Sequence, residues 1–237
     1  MELIHTRWGA LIDTVCAGPG PVSLAANLQL PTPASYVPAE FLAALIALES
    51  GGDAAPRRRF EPAVYAKLLA VRNGERTAYG AVTNEAIQDK TVEGLHLVTK
   101  TSECHAGAIT TGFIAKHADE LSNSAAAILM DLASSWGLTQ IMGYHMCGRA
   151  GVPSCLEEPK LNLQFALALL TEFVHRYRLD LRTDLAELFT CWNTGGPWGK
   201  TYDPNYAVNG LLRMGIYREI AAAVQKSGVR SQESGAL

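Results

Sequence analysis

Phe41-Leu-Ala-Ala-Leu-Ile-Ala-Leu-Glu49-Ser50-Gly51-Gly52 is an apolar segment that ends in a carboxylate, a hydroxyl and two glycines. Leu42, Leu45, Ile46 and Leu48 recur at helical spacing and cover one face and much of another, which predicts a buried helix. Glu49 falls in its last turn, where the partial negative charge of a helix C-terminus and apolar neighbours both disfavour an ionised carboxylate. Such surroundings raise a carboxyl pKa and suit the group to general acid catalysis. Taken alone, a glutamate before a glycine cap reads as a solvated helix end. Residues further along the chain change that reading.

Working outward, apolar periodicity predicts a first helix over residues 3–16, with Trp8, Leu11, Ile12 and Val15 on one face, closed by Gly18-Pro-Gly-Pro21. A short helix is expected over 22–28, and Pro38-Ala-Glu40 leads into the Glu49 helix. Beyond the basic loop at 53–59, Pro62 fits the first position of a helix over 63–71, and Asn73-Gly74 signals a turn. Helix is expected over 87–98, and helix or strand over 108–113. Leu121-Ser-Asn-Ser124 reads as a cap for a helix over 125–134, which Ser135 to Gly143 interrupts before another begins. Amphipathic helices follow over 161–179, 184–192 and 206–223, and the polar end from Ser227 reads as a flexible tail. The chain thus reads as mainly α: one helical domain over 1–226, with a small irregular or β-containing insertion near 72–124 and a tail at 227–237.

Composition narrows the function. With 237 residues, 48% hydrophobic and 18% charged, the chain has the make-up of a globular helical protein. A net charge of −3 without a basic stripe argues against a nucleic-acid or anionic-membrane binder. No stretch approaches the ~20 apolar residues of a membrane span. Charges near the N-terminus interrupt any signal-peptide core, so the expectation is another export route or a leader already removed. Five cysteines are unpatterned: Cys147 and Cys155 flank a Gly/Pro loop and are a possible pair, or are simply small buried thiols. Cys104, His105, His117 and His96 lack a recognised zinc spacing, so neither metal nor cofactor is expected.

Three signals follow Glu49-Ser50-Gly51 in order: Gly137-Leu-Thr-Gln140-Ile141, Cys191-Trp192-Asn193-Thr194-Gly195, and Tyr206-Ala-Val-Asn209 with Leu211-Leu212 behind it. Together they resemble the lysozyme-like superfamily of lytic transglycosylases (glycoside hydrolase family 23) and goose-type lysozymes. Thr139 stands where that pattern has Met, and Cys191-Trp192 where it has Ala-Tyr. The interval from Glu49 to Gly137, 88 positions, is longer than family 23 enzymes usually have. With Arg59-Phe60-Glu61-Pro62 and Ser135-Trp-Gly-Leu-Thr-Gln-Ile-Met-Gly-Tyr144, it looks more like phage-type N-acetylmuramidases, a pattern also found in endolysins.

The resemblance implies a lysozyme-like catalytic domain, acting as a monomer on peptidoglycan glycan strands in the cell wall, periplasm or outside the cell. The bond cut is the β-1,4 link between N-acetylmuramic acid and N-acetylglucosamine. Glu49 is the expected acid. A transglycosylase then reuses the same carboxylate to activate the sugar's own 6-hydroxyl. An inverting hydrolase needs a second carboxylate ~6.5–9.5 Å away to activate water. Glu61 and Asp53 are the carboxylates nearest in sequence. Glu61 is the catalytic candidate of the two, although it also reads as a helix-start residue set against the dipole. Ser50 and Gln140 are expected to orient Glu49 or contact N-acetyl groups, Asn193 to bond a sugar or the acid from the turn after its helix, and Tyr206 to bond the acid. Trp136, Tyr144 and Trp198 are candidates for sugar stacking; Trp192 is equally a core residue. Arg57, Arg58 and Arg59 face either acidic peptide stems or solvent. The insertion tilts the reading towards hydrolysis, with a lytic transglycosylase and a non-catalytic wall-binding protein as alternatives.

Overall fold

The computed structural model describes residues 1–17, 37–53, 58–99, 118–149 and 151–233. Among them the helices are α1 (Glu2–Ala17), α2 (Ala39–Glu49), α3 (Pro62–Arg72), α4 (Asn84–Thr99), α5 (Ala118–Leu132), α6 (Pro159–Tyr177), α7 (Leu185–Thr194) and α8 (Tyr206–Glu233). The strands are short: β1 (Arg59–Phe60), β2 (Ala78–Tyr79), β3 (Val82–Thr83), β4 (Ser134–Trp136) and β5 (Ile141–Met142). The protein is mainly α with a small β component. No helix among the described residues is long and apolar enough to cross a membrane. The chain divides into two compact units, residues 1–56 with 158–237, and residues 57–157.

In the first unit α2 is the core. Phe41 through Ile46 are six consecutive buried residues, so the helix is enclosed on all sides. Burying Phe41, Leu42, Leu45 and Ile46 contributes about 1.5–3 kcal/mol each. Around α2 pack α1 and α8; α7 lies on α8, and α6 contacts both α1 and α7. Pro38 starts α2 with extended backbone, and Glu40 in the first turn accepts from Arg218 Nε at 2.6 Å. The last helix continues to Glu233, through the segment that reads from sequence as a tail from 227.

The second unit is built on Leu68, Val71, Val82, Ile87, Ile128, Leu129, Leu132 and Ala133. Pro62 occupies the first turn of α3, and Gly74 at φ +76° ends it. β2 and β3 form a hairpin whose two-residue loop begins with Gly80 at φ +59°. β4 is the centre of a three-stranded antiparallel sheet, with Arg59 opposite Ser135 on one side and Trp136 opposite Ile141 on the other.

Several sequence expectations are corrected here. Ser122, Asn123 and Ser124 lie inside α5 rather than capping it. The helical spacing of Leu121, Ala125, Ile128, Leu129 and Leu132 is continuous, and three polar residues within it do not break the helix. Residues 134–142 form the β4–β5 hairpin, not the start of a new helix, because Gly137 (φ +71°) and Gln140 (φ +53°) are left-handed. Cys147 and Cys155 are free thiols, as are Cys16 and Cys191. The expected segments 22–28 and 108–113 lie outside the described residues.

Candidate functional site

Glu49 is the last residue of α2 and is half-buried. Ser50 caps the helix: its N–H and its hydroxyl both donate to the Ile46 carbonyl, at 3.0 and 3.2 Å. The hydroxyl expected to orient Glu49 is therefore used by the backbone. Gly51 and Gly52 then turn the chain at φ +65° and +78°. At Gly52 a Cβ would lie 2.0 Å from Ile4 Cδ1, so the turn fits α1 only without a side chain. The Gly52 carbonyl accepts from Arg7 at 2.8 Å and from the Trp8 indole at 3.2 Å. The carboxyl-bearing end of α2 is thus clamped from α1.

From the other side comes Tyr206, the first residue of α8 and 8% exposed. Its hydroxyl donates to Glu49 Oε1, closing a contact between residues 157 positions apart. Burial, the Glu49 charge and this bond, in that order, push the Tyr206 phenol well above its ordinary range, so it stays a donor at any physiological pH. Its ring meets Phe189 edge-on at 6.4 Å, and Phe189 stacks on Phe41 at 4.0 Å. Gly210 makes this approach possible, since a Cβ there would sit 2.7 Å from the Phe189 ring. Upstream, Asp203 anchors the start of α8: its carbonyl accepts the Tyr206 N–H at 3.1 Å and its carboxylate the Asn205 N–H at 2.8 Å.

Asn193 and Trp198 belong to the same unit. Asn193 is an exposed residue within α7, not in a turn beyond it; the helix continues to Thr194 and ends at Gly195 (φ +83°). Trp198 is 88% exposed and meets Tyr177 edge-on at 6.1 Å. Trp192 is half-buried. The neighbouring Cys191 is buried, which pushes its thiol up to about 11.

Glu61, Trp136, Gln140 and Tyr144 lie in the second unit. Glu61 precedes α3; its N–H donates to the Ala133 carbonyl, and its carboxylate accepts from Arg59 Nε at 2.7 Å. Trp136 is corrected as a stacking surface. It is 2% exposed, its indole donates to the Asp131 carbonyl at 2.9 Å, and the Arg58 guanidinium lies 4.8 Å over its ring. Arg58 also pairs with Asp131 at 2.7 Å. Burial outweighs this cation and raises the Asp131 pKa. Gln140 serves its own hairpin: its amide donates to the Gly137 carbonyl at 2.9 Å and its oxygen accepts from the Ser135 hydroxyl at 2.8 Å. Tyr144 packs edge-on against Tyr79 at 5.5 Å, and burial pushes its phenol up to about 12. The motif's final glycine, Gly143, has a packing reason, since a Cβ there would sit 2.2 Å from the Asp131 carbonyl.

Of the three arginines, Arg58 and Arg59 are held in ion pairs, and Arg57 lies outside the described residues. Cys104, His105 and His117 also lie outside them, as does the side chain of His96. Among the described residues, no group of three His, Cys, Asp or Glu could hold a metal ion.

Sequence reasoning missed Arg7 and Trp8 as clamps, Phe189 as the support under Tyr206, and Asp203 as its anchor. Asp203 alone left a signal, in Asp203-Pro-Asn just before a helix start. No protein-family model, curated protein or solved structure matches the chain.

Proposed function

We propose that this protein is a peptidoglycan-cleaving glycosidase of lysozyme-like type, acting on the β-1,4 bond between N-acetylmuramic acid and N-acetylglucosamine with Glu49 as general acid. One observation carries the reading: the Tyr206 hydroxyl bonds the Glu49 carboxylate at the end of a helix whose residues 41–46 are all buried. It joins the first and last of four ordered sequence signals, and it gives the carboxyl a fixed direction. A half-buried acid with one oxygen tethered is suited to protonating a leaving glycosidic oxygen. Glu49 gives its proton to that oxygen as the bond to the muramic acid C1 breaks. In hydrolysis, water then adds at C1 and loses its proton to a base. In transglycosylation the sugar's own 6-hydroxyl adds at C1, and the Glu49 carboxylate takes that proton. The substrate lies in the wall, so the protein works outside the cytoplasm.

Glu61, the sequence candidate for activating water, is held in an ion pair with Arg59 at 2.7 Å. A route that needs no second carboxylate does not call on it. Digestion of purified sacculi followed by mass spectrometry of the muropeptides separates the outcomes. Anhydromuramic ends mark transglycosylation, and reducing muramic ends mark hydrolysis. Hydrolytic product that persists in Glu61→Gln assigns water activation to another group. Equal product from wild type and Glu49→Gln, or none from either, would retire the enzymatic reading in favour of a non-catalytic wall-binding protein.

A further inference from the structure

We infer that residues 195–205 are a preformed platform for a glycan strand, with Trp198 and Tyr202 as its stacking surfaces; the inference rests on the proposed substrate and says how the polymer is held. Trp198 is 88% exposed and Tyr202 103%. Large rings left in water are ordinary on a loose loop, but this loop is tied along its length. Tyr177 donates to the Gly195 carbonyl at 2.8 Å and sets its ring against the edge of Trp198. The Thr194 hydroxyl shares its one proton between the Gly196 carbonyl at 2.7 Å and the Thr190 carbonyl at 2.9 Å, and the Gly199 N–H donates to the Gly196 carbonyl at 3.3 Å. Gly199 sits so close to Thr194 that a Cβ would fall 2.0 Å from its hydroxyl, and Pro197 between them is buried. At the far end the Thr201 hydroxyl donates to the Asp203 carbonyl at 2.6 Å, beside the anchor of Tyr206.

These ties present both rings to solvent without requiring the loop to order on binding. The occupant follows from the neighbourhood. Tyr202 is four residues before Tyr206, hence within about 14 Å of it along the chain, and Tyr206 holds the carboxyl proposed to protonate the scissile bond. A strand lying on that carboxyl must continue past it. The C–H faces of pyranose rings are apolar and pack on aromatic faces, while their edges keep their bonds to water. A repeating polymer with one apolar face per ring fits two exposed aromatics on one loop.

The test uses the full chain carrying Glu49→Gln, so that substrate is retained, and measures co-sedimentation with purified sacculi. Adding Trp198→Ala or Tyr202→Ala is expected to weaken binding about tenfold each, and the pair more. Trp198→Phe and Tyr202→Phe recover most of it, because the face and not the polar handle is used. Both rings are exposed, so the variants keep the parent's thermal melting. Sacculi stripped of their peptide stems by an amidase still bind. The platform is overturned if the double variant sediments as tightly as its parent, or if removing the stems abolishes binding. Muropeptide release by the wild type is read separately. Ring-dependent sedimentation without release keeps the platform and retires the catalytic reading; release with ring-independent sedimentation does the reverse.

Discussion

Replacing Tyr206 by phenylalanine removes one oxygen and leaves the packing. The ring keeps its place against Phe189, and no cavity is opened around a residue that is 8% exposed. What is lost is a hydrogen bond to a carboxylate, worth about 1.5–3 kcal/mol, where a bond between neutral groups is worth about 1 kcal/mol. At ~2–4 °C per kcal/mol for a chain of this size, Tyr206→Phe should lower Tm by about 3–12 °C. The charge dependence is the sharper prediction. In a Glu49→Gln background the acceptor is a neutral amide oxygen, so the same substitution should cost about 0.5–1.5 kcal/mol.

Urea unfolding of the four proteins closes that cycle, with a constant m value as the check that surface exposure has not changed. Tyr206 and Glu49 should couple by about 1 kcal/mol. Muropeptide release should fall in Tyr206→Phe as well, since a carboxyl without its tether is less often aimed at the glycosidic oxygen. Equal stability losses in both backgrounds would show that the hydroxyl does not sense the Glu49 charge. A loss below about 0.5 kcal/mol in both backgrounds would mean that the bond itself contributes nothing, and the geometric basis of the proposed acid would then be gone.

Two further outcomes test the second unit. Lys90 is 2% exposed, and its ammonium donates to Glu93, to the Arg149 carbonyl and, at 2.7 Å, to the Gly151 carbonyl. Lys90→Met leaves those acceptors behind and should cost about 3–5 kcal/mol in urea unfolding; a loss below about 1 kcal/mol would mean that water replaces the ammonium at no cost. Burial lifts Cys147 from 9.0 to about 11 and Tyr144 from 10.0 to about 12. Each folded-state value lies above its unfolded one, so the stability these groups contribute is whole below about pH 9 and is lost as pH rises towards 12. The slope is about 1.4 kcal/mol per pH unit for each group while it titrates. Urea midpoints taken from pH 8 to 12 should fall accordingly, less steeply above pH 10 in Tyr144→Phe, and a flat profile would refute the assignment.

The helices α2 and α3 were legible because each carries its own signal. Apolar spacing marks α2, Pro62 marks the start of α3, and Asn73-Gly74 marks its end. The glycines after Glu49 were legible as a cap but not as a contact, because the 2.0 Å approach to Ile4 is set by where α1 lies. Tyr206 was placed on Glu49 only through the resemblance. No local pattern announces a bond across 157 positions, and its support on Phe189 depends on a glycine, Gly210, that reads as nothing more than a weak point in a helix.

In the second signal the motif residues also carry local structure. Gln140, expected to contact the acid or substrate, is a left-handed glutamine whose amide and oxygen both bond within the hairpin. The same strand explains the fate of the basic loop. Side chains alternate faces along β1, so Arg59 and Glu61, two apart, share one face and pair, while Arg58 points the other way, onto Trp136 and Asp131. That alternation was readable from the sequence once β1 was known to be a strand, but a two-residue strand has no periodicity of its own and exists because β4 pairs with it. The carboxylate expected from sequence to activate water thus has a partner for a tertiary reason. Arg59 is 75% exposed, so the pair is open to solvent, and Glu61→Gln in the muropeptide assay, rather than the pairing, decides whether this carboxylate activates water.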